Sequence, residues 1–419
     1  MSMTSEKLYA FGVASALHGR EYYERLWEEY RSVFDALGIK SFTVFTNEAS
    51  ITEQASRIRE ADALFIAVLT GGSSRLVKKV ASLIDERTPI VLLAHGFHNS
   101  LASALGAKSR LEEEKHRVYI IESRTPSEAI DELAVVTRAI RGLVKLKSMR
   151  VVQLFTDQVY DEGVEASRIF GFNIESVTPQ QLDYEMQRVN INEIRKYLES
   201  HFDLGGVDES LLEKPARLAL AAERIAKARN ADVVVIDCFP FIRAKGFTPC
   251  LMMSYLLDQG LVGVCEADYR SLILMVLAKQ LTGRPGWIAN PSHYEHDTHK
   301  LILAHCTGAT ILGEYATLLP HFETGKPYAV LTKIKPGTYT LAGISPGFRR
   351  MGVALAEVIE SGMLTGGRCR TQVVAKLEEK DPRPFPQKAV SNHHVLIPGD
   401  VRRELTILAT LAGMEVVQY

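Results

Sequence analysis

Two carboxylates stand where an apolar run gives way to an apolar helix pattern: Cys265-Glu266-Ala267-Asp268, after 261–264 and before 269–281. In parallel α/β sheets, ligands bind at that carboxyl edge. Asp268 has a structural use there as a helix cap or dipole partner. Glu266 has none, which makes it the better candidate for chemistry. A histidine cluster follows in HYEHDTHKLILAHC, holding His293, His296, His299 and His305. Neutral imidazole is the commonest metal ligand. Polar neighbours around the first three predict an exposed loop, whereas His305 ends the apolar run 301–304 and is expected at a strand end facing a cleft. His393 and His394 precede the strand pattern 395–397. Adjacent strand residues face opposite sides, so only one of them can readily serve a given site. Arg243 and Lys245 are expected in a loop on the same sheet edge as Glu266. There they either hold a polyhydroxy or anionic ligand or are simply solvated.

Several common chemistries lose ground. The sequence has no G-x-G-x-x-G after a strand, no G-x-x-x-x-G-K-[ST], no G-x-S-x-G and no C-x-x-C. A dinucleotide-dependent dehydrogenase, a P-loop NTPase and a serine hydrolase are therefore disfavoured. The glycine turn Thr70-Gly71-Gly72-Ser73-Ser74 either makes a tight strand–helix connection or turns backbone N–H groups towards an anion or sugar hydroxyl.

The elements that must carry these residues alternate regularly. Strand patterns at Leu8–Val13, 42–45, Ala63–Val68, 89–94 and 117–121 are separated by helical periodicity at 21–37, 51–60, 75–85 and 126–143. That predicts a Rossmann-like doubly wound parallel-sheet domain over 1–147. The alternation restarts at 151–155 and continues through helices at 191–199 and 211–228 to the apolar strand 232–236. Helices at 249–259 and 268–281 flank the strand 261–264, so a second α/β domain carrying Glu266 is expected over 148–312. Beyond it, short β-prone runs at 326–344, 367–377 and 395–397, broken by Gly and Pro, predict a β-rich, barrel-like C-terminal domain over 313–419 carrying His393 and His394.

Composition sets the outer limits. The chain has 419 residues, enough for two to four domains, with 49 Lys and Arg against 50 Asp and Glu. A net charge of −1 gives no basic field to hold nucleic acid or an anionic membrane. No apolar stretch is long enough to span a bilayer, and the first residues lack a signal-peptide core. The five cysteines are odd in number and sit mostly in apolar runs, predicting buried thiols and a cytoplasmic protein.

Taken in order, Thr248-Pro249-Cys250-Leu251, Cys265-Glu266-Ala267-Asp268, Leu281-Thr282-Gly283-Arg284-Pro285, His305-Cys306, His393-His394 and Gly399-Asp400 resemble the L-fucose isomerase and L-arabinose isomerase superfamily. The likeness is strongest over 245–310 and 390–419, and closest to the shorter fucose-isomerase-like branch; Asn99-Ser100-Leu101-Ala102 fits in the first domain. The resemblance implies two Rossmann-like domains and a β-rich third. It also implies a divalent metal, usually Mn²⁺, and a trimer, tetramer or hexamer in which a neighbour's first domain helps close the site. The activity it implies is interconversion of an aldose and a ketose through a cis-enediol, with the metal holding O1 and O2.

Carried over by position, Glu266 is a metal ligand and acid/base. His305 and one of His393 and His394 are further ligands, with His98 and Asn99 as substrate contacts. The family places a second carboxylate about two dozen residues after the first, at the end of the next strand, taken here as 286–289. The matching residue is Asn290, which can bind a cation but cannot take a proton. The second catalytic role then falls to Asp268, Glu295, Asp297 or a metal-bound water, or is lost. The expected substrate is a small open-chain sugar, with Arg243 and Lys245 leaving room for a phosphate or sulfonate. The alternative is a sugar-binding or regulatory relative without isomerase turnover.

Overall fold

The computed structural model describes residues 6–378 and 383–419. It divides into two units, Met1–Val144 with Arg403–Met414 and Lys145–Arg402 with Glu415–Tyr419. The C-terminal helix Arg402–Leu411 thus falls almost wholly in the first unit, where Glu404 receives Arg138 at 2.7 Å.

In the first unit, β1 (Leu8–Val13), β2 (Lys40–Phe45), β3 (Ala63–Val68), β4 (Ile90–His95) and β5 (Val118–Ser123) form an all-parallel sheet ordered β2-β1-β3-β4-β5. β3 and β4 are buried along their whole length, as strands covered by helices on both faces must be. The glycine turn after β3 is a packing device. Gly71 N–H donates to His98 O at 2.6 Å, and a Cβ on Gly71 would stand 2.8 Å from Asn99 Cβ. His98 and Asn99 follow β4 at this sheet's carboxyl edge, both with left-handed backbone (φ 51° and 56°).

The second unit contains two larger sheets that share a helix and a two-stranded ribbon. β6 (Arg150–Leu154), β7 (Asn173–Val177), β8 (Val233–Ile236) and β9 (Val262–Val264) make a parallel sheet ordered β7-β6-β8-β9. β10 (Trp287–Glu295) and β11 (Lys300–His305) leave that sheet and open an antiparallel one. β12 (Gly313–Leu319) and β13 (Ala329–Ile334) form a separate ribbon. β14 (Gly337–Ile344), β15 (Arg350–Gly362), β16 (Thr371–Leu377) and β17 (His394–Pro398) complete the antiparallel sheet. The order β14-β17-β10-β11-β16-β15 closes through the β14–β15 pairing into a six-stranded barrel, with β18 (Glu415–Gln418) added in parallel on β15. Closure leaves no free edge within the ring.

Two α/β sheets and a C-terminal barrel are therefore present, as the sequence predicts. The strand read at 286–289 is the start of β10 and runs antiparallel in the barrel, so the barrel draws on the chain from Trp287 rather than from 313. The helix Tyr269–Thr282 explains how both sheets are held: it packs on β9 and on β14 and β17. Apolar residues occupy all its faces, and Leu272 to Ala278 are buried without a break. A helix covered all round is the expected use of such a sequence.

Candidate active site

Glu266 stands two residues after β9 and holds a left-handed backbone, φ 57°, followed by Ala267 at φ 47°. Two consecutive non-glycine residues in that region cost free energy and persist only where the surroundings fix them. Here Glu266 N–H donates to Cys238 Sγ at 3.4 Å, and Ala267 N–H donates to Ile236 O at 3.0 Å. The turn lifts the Glu266 carboxylate towards the end of β11 and the start of β17. Oε1 lies 3.4 Å from His305 Nε2 and Oε2 lies 3.6 Å from His393 Nε2. Burial pushes the Glu266 carboxyl up, but His305 and His393 beside it outweigh that and hold it below its ordinary value.

Asp268 does two jobs. Its Oδ1 caps the helix Tyr269–Thr282 by accepting from Arg270 N and Ser271 N, both at 3.0 Å. Its Oδ2 accepts from Ser271 Oγ at 2.6 Å and lies 2.7 Å from His393 Nδ1. Burial pushes its carboxyl up, yet His393 and Ser271 overcome this and bring it down to about 2. For His393 burial pushes down, and Asp268 with Glu266 reverses it and raises the imidazole pKa. A carboxylate on Nδ1 fixes a histidine's tautomer and ring plane and leaves Nε2 for another partner. That partner position faces Glu266.

The arrangement suits a metal ion. His305 Nε2 is buried and makes no hydrogen bond among the described residues, its approach to Glu266 being longer than a good N–H···O bond. An orphaned buried nitrogen aimed at a carboxylate, with a second imidazole on the other oxygen, is an N/O donor set of the kind first-row divalent ions take. Cys265 adds a thiol nearby: its Sγ, a Glu266 oxygen and a His305 nitrogen lie within 4.8 Å of one another.

Other candidates fall differently. His394 is fully buried, with Nε2 3.0 Å from Tyr419 Oη, and burial drives its pKa down to about 3. It is a core histidine, and His393 is the member of the pair that faces Glu266. Asn290 lies within β10, where it pairs with Ala304, and not at the end of a parallel strand. The β10–β17 register, Ala289 with His394, carried one step further sets Asn290 level with His393. Glu295 ends β10, five positions beyond Asn290, or about 17 Å along the strand. Glu295 and Asp297 are therefore at the wrong end of the hairpin to share Glu266's work. His293 is exposed on β10, and His296 and His299 are exposed at the turn that follows. Arg243 and Lys245 sit on the helix Cys238–Lys245, not in a loop. Pro240, early in this helix, falls where proline is tolerated, and Gly246 closes it in left-handed backbone. Lys245 is committed to Asp183, at 2.5 and 2.6 Å, while Arg243 stays exposed. His98 and Asn99 belong to the first unit.

Three features escaped the sequence reading. Asp237 follows β8 as Glu266 follows β9; burial raises its carboxyl pKa, and Glu266 adds to the rise. The run Val233-Val234-Val235-Ile236-Asp237 carries the same apolar-then-acidic signal and was passed over. His321, buried and bonded through Nδ1 to Thr324 Oγ1 at 3.2 Å, shares a small cavity with Glu266. No local signal marks it. Four of the cysteines line the same cavity.

The class these observations define is a parallel α/β unit joined to a six-stranded barrel, with a carboxylate between two imidazoles. No family model matches the chain. It is similar to curated sulfoquinovose isomerases: 22% identical over 221 residues to that of Alkalicoccus urumqiensis, covering 50% of this chain and 49% of that one. Against that of a Clostridium species (strain MSTE9) it is 24% identical over 224 residues, covering 48% and 47%. For Priestia aryabhattai the figures are 22% over 240 residues, 55% and 53%. The chain thus spans about half the length of the curated relatives it matches. Among solved structures, a LacI family transcriptional regulator from Bifidobacterium animalis subsp. lactis covers 67% of this chain and 92% of its own at 14% identity, with a TM-score of 0.17. A likeness that slight carries no argument. Among the described residues no helix is long and apolar enough to cross a membrane.

Proposed function

We propose that this chain is a metal-dependent aldose–ketose isomerase of the L-fucose/L-arabinose isomerase-like kind, acting on an open-chain sugar that carries a sulfonate. The observation that carries the reading is Glu266 between His305 Nε2 at 3.4 Å and His393 Nε2 at 3.6 Å, with Asp268 holding His393 from behind. The similarity to sulfoquinovose isomerases supports both the reaction and the sulfonate.

Glu266, His305 and His393 would hold the ion, Mn²⁺ by the family resemblance, with Asn290 level with His393 as a neutral ligand or substrate contact. When bound, the ion stabilises the negative charge that develops on the sugar oxygens O1 and O2. Glu266 breaks the C2–H bond by taking the proton, and the electron pair becomes the C1–C2 double bond of the enediol. The carbonyl electron pair moves onto O1, which takes up the proton that the C2 hydroxyl gives up, and the same carboxyl group returns its proton to C1 as the electrons flow back and C2–O2 becomes the carbonyl. A positioned acid/base of this kind contributes about 10²–10⁴-fold. Asp268 stays ionised and keeps His393 in the tautomer whose Nε2 is free. Arg243, exposed on the helix Cys238–Lys245 and near enough to Asp237 to favour its carboxylate, would be the cation offered to the sulfonate. His98 and Asn99 would act on the substrate from the first domain of a neighbouring subunit in a trimer, tetramer or hexamer.

The second reading, a sugar-binding or regulatory relative, rests on Asn290 standing where the family has its second carboxylate. Carbon-13 NMR of C1-labelled sulfoquinovose with Mn²⁺ separates the two. An isomerase produces the C1 signal of the ketose, and EDTA stops it. A binding protein raises its melting temperature with the sugar and leaves the C1 signal unchanged.

A further inference from the structure

The five thiols of this chain take no part in the proton transfer above, yet four of them gather at one place. Cys238, Cys250, Cys265 and Cys306 line one small cavity together with Glu266 and His321, with room for little more than a water molecule. Cys369 lies outside that lining, its thiol pKa pushed up chiefly by Cys306. All five are free thiols.

Within this group Cys238 and Cys265 are placed as a pair by the sheet itself. β8 and β9 are neighbours, with Val235 level with Val264, so Ile236 is level with Cys265. The chain turns at Asp237 into the helix Cys238–Lys245, which returns Cys238 over the end of β9. Its Sγ stands 3.4 Å from Glu266 N, the nitrogen bonded to the Cys265 carbonyl carbon. Both side chains line the same small cavity.

We propose that Cys238 and Cys265 are an oxidisable pair that closes to a reversible disulfide when a hydroperoxide reaches this cavity, displacing Glu266 from its two histidines. One thiol attacks the O–O bond, takes one oxygen as sulfenic acid and releases water (an alcohol from an organic peroxide). The second thiol displaces that oxygen as water, and the S–S bond forms. The peroxide gains two electrons and the thiol pair loses two. The Cys238 sulfur that accepts from Glu266 N–H is the one drawn into the new bond. Glu266 then loses a contact that holds its left-handed backbone. The chemistry is independent of the sugar; its effect on turnover rests on the isomerase reading.

The test uses the whole chain, stripped with EDTA and treated with hydrogen peroxide or diamide. It is then quenched in acid, alkylated with N-ethylmaleimide under denaturing conditions, digested and mapped by mass spectrometry. The expected map shows a Cys238–Cys265 linked peptide with Cys250, Cys306 and Cys369 alkylated. Mn²⁺ affinity falls at least tenfold, and dithiothreitol restores it. Cys250→Ala still forms the link, whereas Cys265→Ala and Cys238→Ser do not, and their Mn²⁺ affinity no longer responds to peroxide. Alkylation of all five thiols after oxidation overturns the proposal, and so does a map dominated by any other pair. A link that forms in a protein without turnover on any sugar leaves the thiol pair standing and removes the isomerase reading instead.

Discussion

Asp268→Asn separates the two jobs of one carboxylate. Oδ1 caps a helix through two N–H donors at 3.0 Å, and an amide oxygen does this equally well. Oδ2 meets His393 Nδ1 at 2.7 Å with side-chain exposures of 4% and 5%, so no water replaces what is lost. An amide nitrogen there donates instead of accepting. His393 must turn Nδ1 into an acceptor and carry its proton on Nε2, facing Glu266 in place of a lone pair. Losing a buried charge-assisted hydrogen bond costs on the order of 2–3 kcal/mol. Losing the carboxylate behind a ligating histidine costs about 10–100-fold in metal affinity. Urea unfolding with EDTA measures the first, and calorimetric titration with Mn²⁺ the second. A folded Asp268→Asn protein that binds Mn²⁺ within twofold of wild type refutes the reasoning, because His393 Nε2 would then owe nothing to Asp268.

The same pair sets a pH dependence in the metal-free protein. Asp268 is depressed to about 2 when folded, so its stabilisation is present above about pH 4 and is lost as pH falls through 2, by on the order of 2 kcal/mol. His393 is raised, so its share is complete below its unfolded pKa and lost as pH rises through the folded value. Urea midpoints from pH 2 to 8 should show both flanks in wild type and both weakened in Asp268→Asn, where only Glu266 is left to raise His393 and to be depressed itself. Asn290→Asp should speed C2 proton exchange at least tenfold by supplying a second carboxylate level with His393; an unchanged rate would place Asn290 outside the chemistry. Gly163→Ala should cost about 1–3 kcal/mol, since the new Cβ would meet Tyr269 Cζ at 2.5 Å in a fully buried contact. A neutral Gly163→Ala in thermal unfolding would contradict that packing.

How much of this was legible in the sequence depended on how local the signal was. β1, β3, β4 and β8 announced themselves because each is a near-continuous apolar run buried along almost its whole length. β7, with Asn173, Ile174, Glu175, Ser176 and Val177, is only partly covered and was missed for that reason. β15 was missed although it is the longest strand, its Gly352, Ala354 and Ala356 diluting the apolar period. The Glu266 turn and the strand-end role of His305 followed from where polar residues interrupt apolar runs. Choosing His393 over His394 did not: it depends on Tyr419, 25 residues away, accepting the second imidazole into the core. Asn290 was placed just past a strand at 286–289 within the second α/β domain because nothing local distinguishes a buried strand of one sheet from that of another. The convergence of cysteines from β9, β11 and two helices is a property of topology alone.

The central claim is that Glu266 moves the C2 proton of a sulfonated sugar at a metal site. It is tested most directly by proton NMR in D₂O with Mn²⁺ and sulfoquinovose, comparing wild type with Glu266→Gln. The account predicts deuterium at C2 in wild type, loss of that exchange with EDTA, and none in Glu266→Gln although the variant still binds the sugar. Exchange that survives in Glu266→Gln, or none in Mn²⁺-loaded wild type, would contradict it.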